Sequence, residues 1–137
     1  MIYVFDASFI GTQIIPDEKD PRVEKIYAKI KHDDEKYVPH LLWYEIANIF
    51  KNLMRRNRYT YDKVLKFFPY LAGMHLSCDT AGGTEYSKKL LKLCNDYNLS
   101  SYDAAYLELA ERKNAVLCTL DDNLRVAAKK YGVEVIR

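Results

Sequence analysis

Leu99-Ser100-Ser101-Tyr102-Asp103-Ala104-Ala105 and, shortly after it, Ala115-Val116-Leu117-Cys118-Thr119-Leu120-Asp121 decide how this chain is read. In the first segment a serine can cap the helix that follows, and Asp103 falls in its first turn, where the helix dipole favours an acid. That helix is expected to reach about Lys113. The second segment is a short apolar run that reads as a strand buried on both faces, with Asp121 directly at its carboxyl end. One acid therefore opens a helix and another closes a strand. In an open α/β sheet, ligands gather beyond the carboxyl ends of the strands, so Asp121 stands where chemistry is usually found.

The amino terminus has the same design. Ile2-Tyr3-Val4-Phe5 is a continuous apolar run with Asp6 at its carboxyl end and Ser8 two residues on. A short helix should run from Ser8 towards Ile15, and Pro16 stops it. Pro21 suits the first turn of a second helix, carrying Val23, Ile26, Tyr27 and Ile30 and ending near residues 32–35. Tyr37-Val38 is a short strand candidate closed by Pro39. A helix from about His40 to Asn57 then carries Leu42, Ile46, Ile49, Phe50 and Leu53 on one stripe, with Glu45 in its early turns. Thr60 can cap a further helix that Pro69 to Gly73 close, and Met74-His75-Leu76 is another strand candidate. A helix from Thr84 to Tyr97 leads into the opening segment. After Asp121, a helix ends at Gly132 and Val133 to Ile136 forms a last strand. This alternation predicts an α/β fold, a mainly parallel sheet of about five short strands flanked by helices in three layers.

Composition sets bounds on this reading. At 137 residues the chain fits one domain over residues 1–137, with 49% hydrophobic residues and a formal charge of only +2. Such a balance excludes a disordered chain and does not by itself point to nucleic acid. Cys78, Cys94 and Cys118 are odd in number and lack a Cys-x-x-Cys pair, and His32, His40 and His75 lack helical zinc spacing. No signal peptide or membrane span is visible, so a cytoplasmic protein with no membrane partner is expected.

Taken singly, Asp6 and Asp121 read as helix caps, Asp103 as a first-turn acid and Glu45 as a solvated helix residue. Placed on the expected sheet, all four share one rim, where uncompensated carboxylates would repel each other and raise each other's pKa values. Such a cluster calls for a cation, and its all-oxygen donors suit Mg²⁺ or Mn²⁺. Sites of this kind serve phosphoryl chemistry, which makes phosphodiester hydrolysis the favoured reaction.

Asp6-Ala7-Ser8, Trp43-Tyr44-Glu45-Ile46-Ala47, the segment from Leu99 to Ala104, and Thr119-Leu120-Asp121-Asp122-Asn123-Leu124 resemble, in order and spacing, the PIN-domain ribonucleases, especially the VapC-type toxins. The resemblance spans nearly the whole chain. It implies a metal-dependent endoribonuclease in which Asp6, Glu45, Asp103 and Asp121 hold Mg²⁺ or Mn²⁺, with Ser8 and Thr119 supporting the metal shell or its water. It also implies a homodimer and a small antitoxin whose peptide lies across the active-site groove. Asp122 is an additional acid whose role the pattern leaves open.

Lys51, Arg55 and Arg58 recur at helical spacing, with Arg56 beside them and Tyr59 and Tyr61 following, as phosphate contacts and stacking surfaces for an RNA substrate would. A solvated helix end explains the same pattern. Two other α/β enzyme classes fit less well: a haloacid dehalogenase-type phosphatase needs an acid where Ser8 stands, and a response-regulator receiver needs paired acids near the first strand. The remaining alternatives are a PIN-like module that binds protein or RNA without cutting it, a PIN nuclease in RNA processing, and one acting on DNA.

Overall fold

The computed structural model describes residues 1–136. Arg137, the last residue of the domain expected from the sequence, lies outside them. Five parallel strands form the sheet: β1 (Ile2–Phe5), β2 (Glu35–Pro39), β3 (Ser77–Asp79), β4 (Val116–Cys118) and β5 (Val135–Ile136). Between β1 and β2 lie α1 (Ala7–Ile14), a single 3₁₀ turn at Pro16–Glu18 and α2 (Pro21–Tyr27). The connection to β3 carries α3 (Leu42–Arg55), α4 (Tyr61–Leu65) and α5 (Phe68–Gly73). Next come α6 (Thr84–Tyr97) and α7 (Ser101–Arg112) before β4, and α8 (Asp122–Tyr131) before β5.

The strand order is β3-β2-β1-β4-β5. The chain thus builds outward from β1 to one edge, returns to place β4 on the other side of β1, and builds outward again. Val4 sits opposite Tyr37 on one side and opposite Leu117 on the other. The reversal point lies between β1 and β4, and the crevice beyond their carboxyl ends is where such sheets bind ligands.

Alternation along the central strands divides the core between the two faces. Tyr3, Phe5, Val116 and Cys118 point to one face, against Phe9 and Ile10 of α1, Leu42, Ile46 and Phe50 of α3, and Phe67 and Leu71. Val4 and Leu117 point to the other, against Leu93, Ala104, Leu107, Leu124 and Ala127 of α6, α7 and α8. Helix, sheet, helix is the expected three-layer order. No helix among the described residues is long and apolar enough to cross a membrane.

Local differences from the sequence reading have physical causes. The strand expected at residues 74–76 lies instead at Ser77–Asp79, because His75 takes a left-handed conformation (φ 53°) that a strand does not accept. Pro39 ends β2 from within, as its last residue, and the strand begins earlier, at Glu35. Pro69 is the second residue of a separate helix, α5, in the first turn, where the missing N–H costs nothing. The second helix stops at Tyr27, short of residues 32–35, the third covers Leu42–Arg55, and the last strand keeps only Val135 and Ile136. Gly132 does end α8, with φ at 88°.

Candidate active site

Asp6 follows β1 and caps α1, its Oδ1 accepting the Phe9 N–H at 2.9 Å. The same oxygen accepts the Ser8 hydroxyl at 2.6 Å, and Oδ2 accepts the hydroxyl of fully buried Thr119. Those two hydroxyls reach in both directions. Thr119 Oγ1 accepts the Asp121 N–H at 2.9 Å, and Ser8 Oγ accepts the Leu120 N–H at 3.1 Å. The turn leaving β1 is thereby latched to the turn leaving β4. Asp121 caps α8, its Oδ1 accepting the Leu124 N–H at 2.9 Å.

Two helices supply the other acids. Glu45 lies in the first turn of α3 and Asp103 in the first turn of α7, where Ser100 Oγ accepts the Asp103 N–H at 3.2 Å. Glu45 Oε1 accepts a 2.5 Å hydrogen bond from the hydroxyl of Tyr106, a side chain only 2% exposed. Tyr106 was missed in the sequence. Its signal is its place three residues after Asp103, on the same face of α7.

Charge gathers at this rim. Burial raises the pKa of Asp6 above the ordinary carboxylate value despite its three hydrogen bonds, and the charge of Asp121 adds to the rise. Burial likewise raises Glu45, with Asp6 and Asp103 contributing, and raises Asp103, with Asp121 and Asp6 contributing. The neighbouring Cys118 thiol is pushed up to about 12 by burial and by Asp6. Among the described residues no ion pair from a lysine or arginine reaches any of the four acids.

Coupling by charge is not yet a coordination shell. No group of three or more acids, histidines or cysteines among the described residues is gathered as a ready-made metal site. Asp6, Glu45 and Asp121 each have an oxygen engaged by a protein donor. A cation would draw the carboxylates inward against their mutual repulsion. Carboxylate-only donors carrying uncompensated charge fit a hard divalent cation such as Mg²⁺ or Mn²⁺.

The basic residues separate. Arg56 and Arg58 line a cavity of about 510 Å³ that also includes Ser8 and Asn52, whereas Lys51 and Arg55 are exposed and outside it. Arg58 is paired with Asp17 at 2.8 Å and Glu18 at 3.2 Å, and the Tyr59 hydroxyl donates to Asp17 at 2.8 Å. Tyr61 is exposed, and Asp122 lies in the first turn of α8 with Arg125 at 3.2 Å.

Residues 3–130 match the family model of the PIN domain. The chain belongs to the PIN-domain family. Ribonuclease VapC3 of Pyrobaculum aerophilum is 28% identical over 124 residues, covering 90% of this PIN domain chain and 92% of that protein. The crystal structure of PAE2754 from the same organism superposes with a TM-score of 0.74 at 21% identity, covering 98% of this chain and 89% of the other. VapC20 of Mycobacterium tuberculosis, described as a sarcin-ricin loop cleaving toxin, gives 0.65 at 13% identity, over 93% and 95% of the two chains. At these identities the two structures speak for the PIN fold alone. In this PIN domain the four acids expected from the sequence stand around the carboxyl ends of β1 and β4 and the first turns of α3 and α7.

Proposed function

We propose that the chain is a divalent-cation-dependent endoribonuclease that hydrolyses RNA phosphodiester bonds, acting as the toxin of a toxin-antitoxin pair. The observation that carries this reading is the set of four acids, Asp6, Glu45, Asp103 and Asp121, three of them with pKa values raised by burial and by the charge of others in the set, at the reversal point of the sheet. Kinship with Ribonuclease VapC3 supports RNA as substrate. Resemblance to the VapC-type toxins supports a homodimer and a small antitoxin as partners.

The four acids would hold Mg²⁺ or Mn²⁺. When bound, such a cation offsets charge at the scissile phosphate and eases deprotonation of the attacking water. The protein's own groups prepare that chemistry. Ser8 and Thr119 fix both oxygens of Asp6 and tie them to the backbone before Asp121, so the strand-end acids keep one relative position. Tyr106 holds Glu45 from behind. Arg56, which has no ion pair to an acid among the described residues and lines a cavity with Ser8, would meet a phosphate there.

The test is cleavage of a mixed pool of cellular RNA with Mn²⁺, with Mg²⁺ and with EDTA, beside Asp103→Asn. Cutting is expected with either ion, absent in EDTA, and reduced in the variant by more than the roughly 10–100-fold that losing a supporting group costs. No cutting by folded protein free of inhibitor would overturn the reading in favour of a binding module.

A further inference from the structure

Three cavities share lining residues, two of them walled in part by α3 and the third bordered by Leu41, just before it. The first is the one lined by Ser8, Arg56 and Arg58. The second, of about 520 Å³, has Glu45 in its wall together with Tyr44, Asn48 and Tyr102. The third, of about 350 Å³, also has Tyr102 in its wall and includes His40 and Gly83. Shared walls join them: Ile49 and Asn52 border both the first and the second, and Leu41 and Tyr102 border both the second and the third. Glu45 is the one member of the four acids in these walls, so the acid site borders a row of neighbouring cavities.

The middle cavity has its own chemistry. Tyr44 immediately precedes Glu45 on α3 and Tyr102 immediately precedes Asp103 on α7, so each helix brings a ring to the same cavity as it brings an acid to the site. Both rings are largely exposed, Tyr44 at 69% and Tyr102 at 64%, although neither is needed to cover the core. Tyr44 is steadied by His40, edge-on with ring centroids 5.9 Å apart. Asn48 and Asn52 lie about one and two turns along α3 from Glu45, and their side chains make no hydrogen bond among the described residues. No lysine or arginine lines this cavity among the described residues, whereas two arginines line the next.

Aromatic faces, free amide donors and acceptors, and neighbouring cations in a separate compartment describe a surface for a base followed by its backbone. Resting on the nuclease reading above, we propose that the middle cavity is a nucleobase site. One unstacked base of single-stranded RNA, adjacent to the scissile phosphate, stacks on Tyr44 and Tyr102 and turns its polar edge to Asn48 and Asn52. The backbone continues past Ser8 to Arg56. A base inside a duplex has both faces covered and cannot enter, so the site selects unpaired RNA.

The probe is a short mixed-sequence RNA, phosphorothioate-linked to slow cutting, used single-stranded and annealed to its complement, with binding read by fluorescence anisotropy in Mn²⁺. Tyr44→Ala and Tyr102→Ala are each expected to weaken single-strand binding roughly tenfold and leave duplex binding unchanged. Tyr102→Phe should bind within about twofold of wild type, because stacking needs the ring and not the hydroxyl. Unchanged Mn²⁺ affinity, measured by calorimetry, verifies that the variants keep the fold and the acid site. Wild-type affinity for single-stranded RNA in both alanine variants overturns the base site and leaves the tyrosines to a protein contact, while RNA cutting by the wild type keeps the nuclease reading intact. A wild type that neither binds nor cuts RNA overturns both.

Discussion

At the scale of single residues, the tyrosine behind Glu45 is the most informative side chain. Tyr106 is buried, and its own ionisation is strongly suppressed by burial and by Glu45, so its hydroxyl keeps the proton that it donates to Glu45. Glu45 then has one oxygen fixed and the other free to face a cation. Tyr106→Phe keeps the ring and removes the donor, and is expected to lower Mn²⁺ affinity and RNA cleavage roughly 10–100-fold. Calorimetric Mn²⁺ titration beside the cleavage assay checks this; affinity equal to wild type would reduce the contact to core packing. Asp6, Asp103 and Asp121 were legible in the sequence because each sits at a locally marked boundary, a strand end or a helix cap. The Tyr106 bond was not, since it joins residues 61 positions apart, and the spacing from Asp103 marks a shared face of α7 without naming the partner. The row of cavities was equally invisible, because its walls come from elements distant in sequence that meet only in the folded chain.

Elements explain what holds α6 and α7 to the sheet on the face away from α3. Arg112, in the last turn of α7, bonds Asp79 at the end of β3 with two nitrogens, at 3.0 and 2.7 Å, and Glu108 one turn earlier at 2.8 Å. Lys89 of α6 reaches Glu108 at 3.2 Å. Burial alone would push the Glu108 pKa up, but Arg112 and Lys89 outweigh it and hold the carboxyl below its usual value. Glu108 is 3% exposed, so stripping away its main partner leaves a buried charge. Arg112→Ala is expected to cost about 2 kcal/mol in urea unfolding, below the usual cost for a fully buried pair because Lys89 remains and the guanidinium is partly solvated. A loss under about 0.5 kcal/mol would class the contact with surface ion pairs. Helix boundaries on this side followed local signals closely, from Ser100 as a cap to Gly132 as a stop. The strand at Ser77–Asp79 did not, because its three residues are largely open to solvent and carry no apolar run; pairing with β2 makes them a strand.

The whole molecule carries the electrostatic cost of its site. Asp6, Glu45 and Asp103 have folded pKa values above the ordinary 3.8 and 4.5, so without metal the folded chain holds protons that the unfolded chain has released. Their contribution favours folding below those ordinary values and is lost as the pH rises through the raised ones. Metal-free protein should therefore lose stability from these groups between the carboxylate range and neutrality, and a divalent cation should restore it. Asp103→Asn in EDTA at neutral pH is expected to melt a few degrees above wild type, with a flatter pH response and little gain from Mn²⁺. A much lower melting point would make Asp103 a structural residue. The latch between Asp6 and Thr119 joins the first strand to one reached 113 residues later. During synthesis the ribosome must therefore deliver everything from Asp6 to Asp121 before the four acids can meet, and a nascent or prematurely ended copy carries the first acids without the last. Whatever this site does to other molecules, it can begin only once the ribosome has passed the codon for Asp121.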